Sequence, residues 1–263
     1  MRPPFFLENC EWFLLSELGD RGMLRRYERT KINVLRGERF LRLCEVSYRA
    51  VCHDPSLSEA EGIANVEDRT WEMVQRNFQV SSERCSLENT LFSVDGAEIC
   101  AFLRRSDNVF LILVAQYRPP VDAVVFEFPA GLVNNGEDVK SAALRELKEE
   151  TGYVATEENI ISVTDALCYE PGMTDSCCKF VRLFVDGEKE VNRFPQQELD
   201  EGEDIEVVLL PISLKKGVAG GDTPLQSLNK LLQERTKGQQ RSIVDAKLYM
   251  FLDGLSQVST LFF

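Results

Sequence analysis

Histidine is almost absent from this chain, with only His53 among 263 residues. That scarcity, together with eight cysteines of which no two stand in C-x-x-C spacing, argues against a structural zinc site. His53 reads as a surface loop residue beside Asp54-Pro55, and nothing points to it as a general base. Basic charge is also short: 30 Lys and Arg against 43 Asp and Glu leave a net charge of −13. A chain this acidic lacks the footprint that general nucleic-acid binding needs, and a phosphate substrate would have to be drawn in by something else, such as a bound divalent cation. The longest apolar runs, "NVFLILVAQY" and "EVVLLPI", fall far short of the roughly 20 residues of a membrane span. The first residues carry glutamates and lack a basic stretch followed by a long apolar one, so they do not read as a signal peptide. The cysteines are expected to be free thiols of a soluble, cytoplasmic protein, with the nucleus also admissible. No internal repeat or low-complexity tract is evident.

What is present is an ordinary globular composition, 44% hydrophobic and 28% charged. Residues 1–30 form an extension whose "WFLLSEL" reads as a short amphipathic turn packing on the body, or as a partner-binding segment. Residues 31–88 form an N-terminal β region. Its "KINVLRGERFLRLCEVSYRAV" and "RTWEMVQRNFQV" alternate loosely and are rich in β-branched and aromatic types, which predicts strands. The polar connection between them, with Pro55 and Gly62, is too long for a tight hairpin. These strands have no helix of their own to bury them. They are expected to pair and cover another surface, with that of a second subunit as one candidate.

Residues 89–263 alternate strands with a few helices, the pattern of a layered α/β domain. "TLFSVDGAEICAFLRR", "NVFLILVAQYRP", "AVVFEFPAG", "IISVTDALCYEPG", "CCKFVRLFVDG" and "EDIEVVLLPI" read as strands. "DVKSAALRELKEETG" reads as a helix with Ala142, Ala143, Leu144 and Leu147 inward and Gly152 as its stop. "PLQSLNKLLQER" and "RSIVDAKLYMFLDGLSQV" read as two more helices, the last with Ile243, Ala246, Leu248, Tyr249, Leu252 and Leu255 at helical spacing.

The first of these helices carries an electrostatic cost. Glu146, Glu149 and Glu150 stand three and four apart, so all three carboxylates share one face and repel. A solvated face served by Arg145 and Lys148 would intersperse the signs more evenly. Oxygen-only donors on a rigid element suit a hard cation, with Mg²⁺ the natural candidate and Mn²⁺ able to substitute. Three carboxylates leave room for more than one ion.

Counted from Gly131, the chain runs five residues, Glu137, seven residues, and then Arg145-Glu-Leu-Lys-Glu-Glu-Thr-Gly152. This resembles the Nudix hydrolase signature, departing only at Tyr153, where an aliphatic residue is usual. The resemblance implies a Nudix α/β/α sandwich with a mixed sheet, preceded by the small antiparallel β region, and cleavage of a nucleoside diphosphate linked to another moiety. It makes Glu146, Glu149 and Glu150 metal ligands, and gives Arg145 and Glu137 an orienting role. The flanking "QYRPP" and "EFPAGLVNNGE" look like the ADP-ribose pyrophosphatase branch. In that branch the Ala130 carbonyl is a further metal ligand, and Arg118 and Leu132 contact substrate. A guanidinium ending a strand near the metal loop is also suited to grip a diphosphate on physical grounds alone.

The same branch resemblance places an adenine stack at Trp71, nucleotide contacts at Glu72 and Arg76, and Phe40 where a second tryptophan is common. Phenylalanine stacks with less area and no indole N–H. The branch exchanges its N-terminal strands across a homodimer. "LDEGEDIEVVLLP" resembles its acidic loop, where Glu203 is expected to act on the attacking water with Glu149 as the second catalytic carboxylate; Glu198 and Glu201 are rivals for the base. The expected activity is Mg²⁺-dependent hydrolysis of ADP-ribose or related sugars to AMP and ribose 5-phosphate. A UDP-sugar pyrophosphatase, a non-catalytic nucleotide sensor and an oxidised-nucleotide hydrolase are the alternatives.

Overall fold

The computed structural model describes residues 26–51, 68–77, 94–212, 222–237 and 241–261. The "WFLLSEL" segment and the connection containing His53 lie outside the described residues. The chain divides into two compact units, residues 1–77 and 78–263.

In the first unit β1 (Arg26–Gly37), β2 (Leu41–Val51) and β3 (Arg69–Arg76) form an antiparallel sheet in that order. The stretch from Lys31 to Val51, read from sequence as one strand, folds back at Glu38–Phe40, where the Glu38 N–H bonds the Leu41 carbonyl at 2.8 Å. Cys44 and Met73 are register partners and are buried. Val34, Leu35, Leu41 and Leu43 remain between 41% and 53% exposed. A three-stranded sheet has too little area to cover that much apolar side chain by itself.

The second unit holds β4 (Gly96–Arg105), β5 (Asn108–Arg118), β6 (Ala123–Glu127), β7 (Ala130–Leu132), β8 (Ile160–Val163), β9 (Leu167–Cys168), β10 (Cys177–Asp186), β11 (Ile205–Pro211) and β12 (Ser242–Val244). Its helices are α1 (Val139–Thr151), the single turn α2 (Glu190–Arg193), α3 (Pro224–Lys237) and α4 (Ala246–Leu261). The strands make one mixed sheet in the order β12-β6-β5-β4-β10-β8, with β11 on β5, β7 on β4 and β9 on β10. The β4–β10 and β6–β12 pairs are parallel and the others antiparallel.

Strand alternation builds both layers of the sandwich. Along β4, Ala97, Ile99, Ala101 and Leu103 face α1 and pack with Ala142, Ala143 and Leu147. Cys100 points the other way, into a core with Phe126, Phe128, Leu228, Leu248 and Leu252 that α3 and α4 close. The central sheet is therefore buried on both faces, which is why its strands read as continuous apolar runs.

Three elements of this unit differ from the sequence reading. "AVVFEFPAG", read as one strand, is split into β6 and β7, which pair with β5 and β4 respectively. The strand expected across "IISVTDALCYEPG" is broken into β8 and β9. Between them the Thr164 hydroxyl accepts the Phe180 N–H at 3.0 Å, so a side chain replaces a carbonyl in the ladder. The last helix begins later than its periodicity suggested. Ile243 belongs to β12, held at the sheet edge by bonds from the Val124 N–H to the Arg241 carbonyl and from the Asp245 N–H to the Phe126 carbonyl, both 2.9 Å. Asp245 then caps α4 by accepting the Lys247 and Leu248 N–H groups. Of the residues assigned to that helix's apolar face, Leu248 and Leu252 are buried while Tyr249 is 44% exposed. Among the described residues no helix is long and apolar enough to cross a membrane.

Candidate active site

The candidate site grows from the loop that joins β7 to α1. Gly136 takes a positive φ in a turn closed by the Asn134 N–H to Glu137 carboxylate bond of 2.9 Å. Asp138 caps α1 by accepting the Lys140 and Ser141 N–H groups at 2.9 and 3.2 Å. One turn on, the Arg145 guanidinium gathers the site. It donates to Glu137 at 2.9 and 3.0 Å, to Glu146 at 2.7 Å, to Glu149 at 2.8 Å and to the Leu132 carbonyl at 2.9 Å. The sequence-based role of Arg145 and Glu137, orienting loop and helix by ion pairing, matches these contacts. The Arg145 hydrogen bonds, helped by the Asn134 N–H and the Arg145 charge, are also why Glu137 sits below the ordinary carboxylate range.

The three helix carboxylates are not equivalent. Glu146 lies against Gly131, so closely that a Cβ there would overlap its carboxylate. Glu149 is half-buried on Arg145. Glu150 is buried and accepts the Ala130 N–H at 3.0 Å. Burial pushes the Glu150 carboxyl up to about 8; the Ala130 bond and the Arg118 charge pull it down, while the charges of Glu146 and Glu203 raise it further. Glu146 is raised mainly by burial, with Glu149 and Glu203 adding to the effect against Arg145. Glu203 thus lies within electrostatic reach of both helix carboxylates. Its own carboxylate accepts the Asp200 N–H at 3.2 Å across a turn in which Gly202 has a φ of 90°.

Among the described residues no three acidic, histidine or cysteine side chains are gathered tightly enough to hold an ion as they stand. The reason is visible in the contacts: Arg145 bridges Glu146 and Glu149, and Glu150 is turned to the Ala130 N–H. The donor chemistry nonetheless fits a hard divalent cation. Glu150 is raised chiefly by burial, with the charges of Glu146 and Glu203 adding to it, and Gly131 leaves room for Glu146; an ion would offset the cost of these carboxylates.

Arg118 ends β5 and pairs with Glu127 at 2.7 Å, close enough to Glu150 for its charge to be felt there. Leu132 is 39% exposed on β7. The other expected substrate residues lie in the first unit. Trp71 pairs with Val46, while Glu72 pairs with Glu45 and Arg76 with Leu41. Alternation puts Trp71 on one face of that sheet and Glu72 and Arg76 on the other. Phe40 is 68% exposed under the Arg39 guanidinium, and its carbonyl accepts the Asn77 N–H. It therefore lies about 20 Å along the strands from Trp71 of the same chain.

Several contributors had no signal in the sequence. Gln197 donates to the carbonyls of both Glu150 and Ile205. Asn192, fully buried, bonds Val154 and the Asp186 carbonyl. Glu98, 4% exposed and the register partner of Ala130, faces Lys247 at 3.6 Å. Only the last had a hint, a carboxylate inside an apolar strand. Tyr153, the departure from the signature, is buried with its hydroxyl accepting from Arg105 at 3.0 Å, so its polar tip is satisfied.

This fold and carboxylate helix define the class, and comparison with known proteins agrees. Residues 95–222 match the NUDIX domain. The ADP-sugar pyrophosphatase of Mus musculus is 32% identical over 184 residues, covering 70% of this chain and 72% of the mouse protein. The chain therefore belongs to the Nudix family, whose members generally use divalent metal ions. A nudix hydrolase of Caenorhabditis elegans is 39% identical over 141 residues, 53% of this chain and 58% of that protein. The ADP-ribose pyrophosphatase of Saccharomyces cerevisiae is 37% identical over 144 residues, 54% of this chain and 57% of that protein. The chain thus spans a little under three fifths of the worm and yeast proteins.

Proposed function

We propose that this chain is a divalent-cation-dependent pyrophosphatase that hydrolyses ADP-ribose and related nucleoside diphosphate sugars to AMP and a sugar phosphate, ribose 5-phosphate in the case of ADP-ribose. The observation that carries this reading is the carboxylate face of α1: Glu146 lies against Gly131, Glu150 is buried against the Ala130 N–H, and the charge of Glu203 reaches both. The mouse and yeast relatives, named for ADP-sugar and ADP-ribose, support the substrate class. Glu146, Glu149, Glu150 and the Ala130 carbonyl would hold Mg²⁺, or Mn²⁺ in its place. When bound, the ion neutralises the diphosphate and lowers the pKa of the attacking water.

The chain's own groups supply the rest. Arg145 holds Glu146 and Glu149 in register until they are needed. Arg118, at the end of β5, offers a guanidinium to a phosphate oxygen, and Leu132 contacts the substrate from β7. Glu203 takes a proton from the water as its oxygen bonds to one phosphorus. The bridging P–O bond breaks, and the departing phosphate leaves with that electron pair. The β1–β3 sheet serves base recognition through Trp71, Glu72, Arg76 and Phe40. It also serves pairing of two chains with exchanged N-terminal strands, supported by its exposed apolar residues.

The test is a panel of nucleoside diphosphate derivatives with Mg²⁺, with products identified. ADP-ribose is expected to be cleaved to AMP and ribose 5-phosphate. Preference for UDP-glucose, or affinity without turnover in saturating Mg²⁺, would refute the reading. Glu203→Gln should lower kcat by about 10²–10⁴-fold, and an unchanged kcat would remove Glu203 as the base.

A further inference from the structure

The acidic loop is anchored to the helix whose carboxylates it approaches. Gln197 sits just before it. Its side-chain nitrogen donates to the Glu150 carbonyl at 2.6 Å and to the Ile205 carbonyl at 2.9 Å. One bond goes to the backbone of a helix carboxylate, the other to the first residue of β11, two positions past Glu203. The entry stem is fixed as well. The Glu198 N–H bonds the Glu149 carbonyl at 2.8 Å, and Lys148 pairs with Glu198 at 2.8 Å. The Gln196 backbone occupies the space a side chain at Gly152 would need. The exit stem, Ile205, is buried and registered on Gln116 of β5.

Only Leu199–Asp204 is left to move between the two stems, and Glu203 lies within that span, turned back on Asp200. A carboxylate that must leave that bond and reach a water requires fixed stems, because displacement on the order of 1 Å at a reacting group costs up to about 10²-fold.

We propose that Gln197 is a positioning residue: by tying Glu150 and Ile205 to one amide, it sets where Glu203 can reach. This rests on the pyrophosphatase reading above. Gln197 is itself exposed, so its replacement should leave the core intact.

The test uses Gln197→Met, which has similar length and no donor, in the full chain. Amide hydrogen exchange of residues 198–205 without metal or substrate is expected to accelerate. With ADP-ribose and Mg²⁺, kcat should fall about 10-fold with KM changed less than about twofold. In a Glu203→Gln background the same substitution should cause no further loss, since the group it positions is gone. Unchanged exchange, unchanged kcat, or an equal loss in both backgrounds would overturn the proposal; equal loss would assign Gln197 a general structural role. If the unsubstituted chain cleaves no nucleoside diphosphate sugar, the pyrophosphatase reading fails, and unchanged exchange still decides against the clamp.

Discussion

Gly131 and Glu146 compete for one small volume, and the outcome is decided by a missing methyl group. Gly131→Ala would place a Cβ on the Glu146 carboxylate and drive it out of the site. If Glu146 helps hold the ion as proposed, the chain is expected to fold with kcat lowered at least about 10²-fold, measured by turnover beside a circular dichroism spectrum. Glu150 makes a different prediction. Its carboxyl moves from 4.5 to about 8 on folding, chiefly by burial. A raised carboxyl holds its proton in the folded chain after the unfolded chain has lost it. Its contribution is therefore full below about pH 4.5 and falls away as pH rises towards 8. In chelator, the Tm of the unsubstituted chain should drop between pH 6 and 8 by more than that of Glu150→Gln; parallel curves would contradict this. That Glu146, Glu149 and Glu150 share one face of α1 was legible in the sequence because helical spacing fixes it. Gln197 and Asn192 were not, because a lone side-chain amide that bonds carbonyls elsewhere in the chain leaves no period to read.

At the level of elements, helices were legible from their apolar stripes, and the starts of α1 and α3 fall where they were read, but that of α4 does not. The apolar pattern runs from Ile243 into α4 without a break, yet parallel pairing with β6 claims Ser242–Val244 as a strand. A three-residue edge strand has too few positions to declare its own alternation. The boundary is set instead by Asp245, whose carboxylate accepts the Lys247 and Leu248 N–H groups at 2.9 and 3.3 Å. Removing such a cap costs about 1 kcal/mol. Asp245→Ala should lose about that much in urea unfolding, whereas Asp245→Asn should retain most of the stability because asparagine caps as well.

For the whole molecule, a layered α/β domain was legible from the alternation of strands and helices, and the resemblance implied the α/β/α sandwich, but strand order could not be read. The β4–β10 pair joins residues some eighty positions apart, and no local pattern specifies such a partner. The first unit presents the complementary case. Its strands were readable, and so was the fact that they cannot cover themselves. If two chains pair through this sheet, sedimentation should give a dimer, and replacing Leu41 and Leu43 together with aspartate should give a monomer with the second unit still folded. A monomer before substitution would remove this surface as a pairing face.

The glycine that ends α1 has two reasons to be glycine. Its φ of 73° is one, and the backbone of Gln196 filling the space beside it is the other. The second reason comes from a segment far downstream. The signature is therefore not a portable cassette. Grafted into another scaffold from Gly131 to Gly152, it would bring its carboxylates but not the chain that braces their last turn. A successful transplant would have to carry the Gln196–Glu198 strap along with the helix.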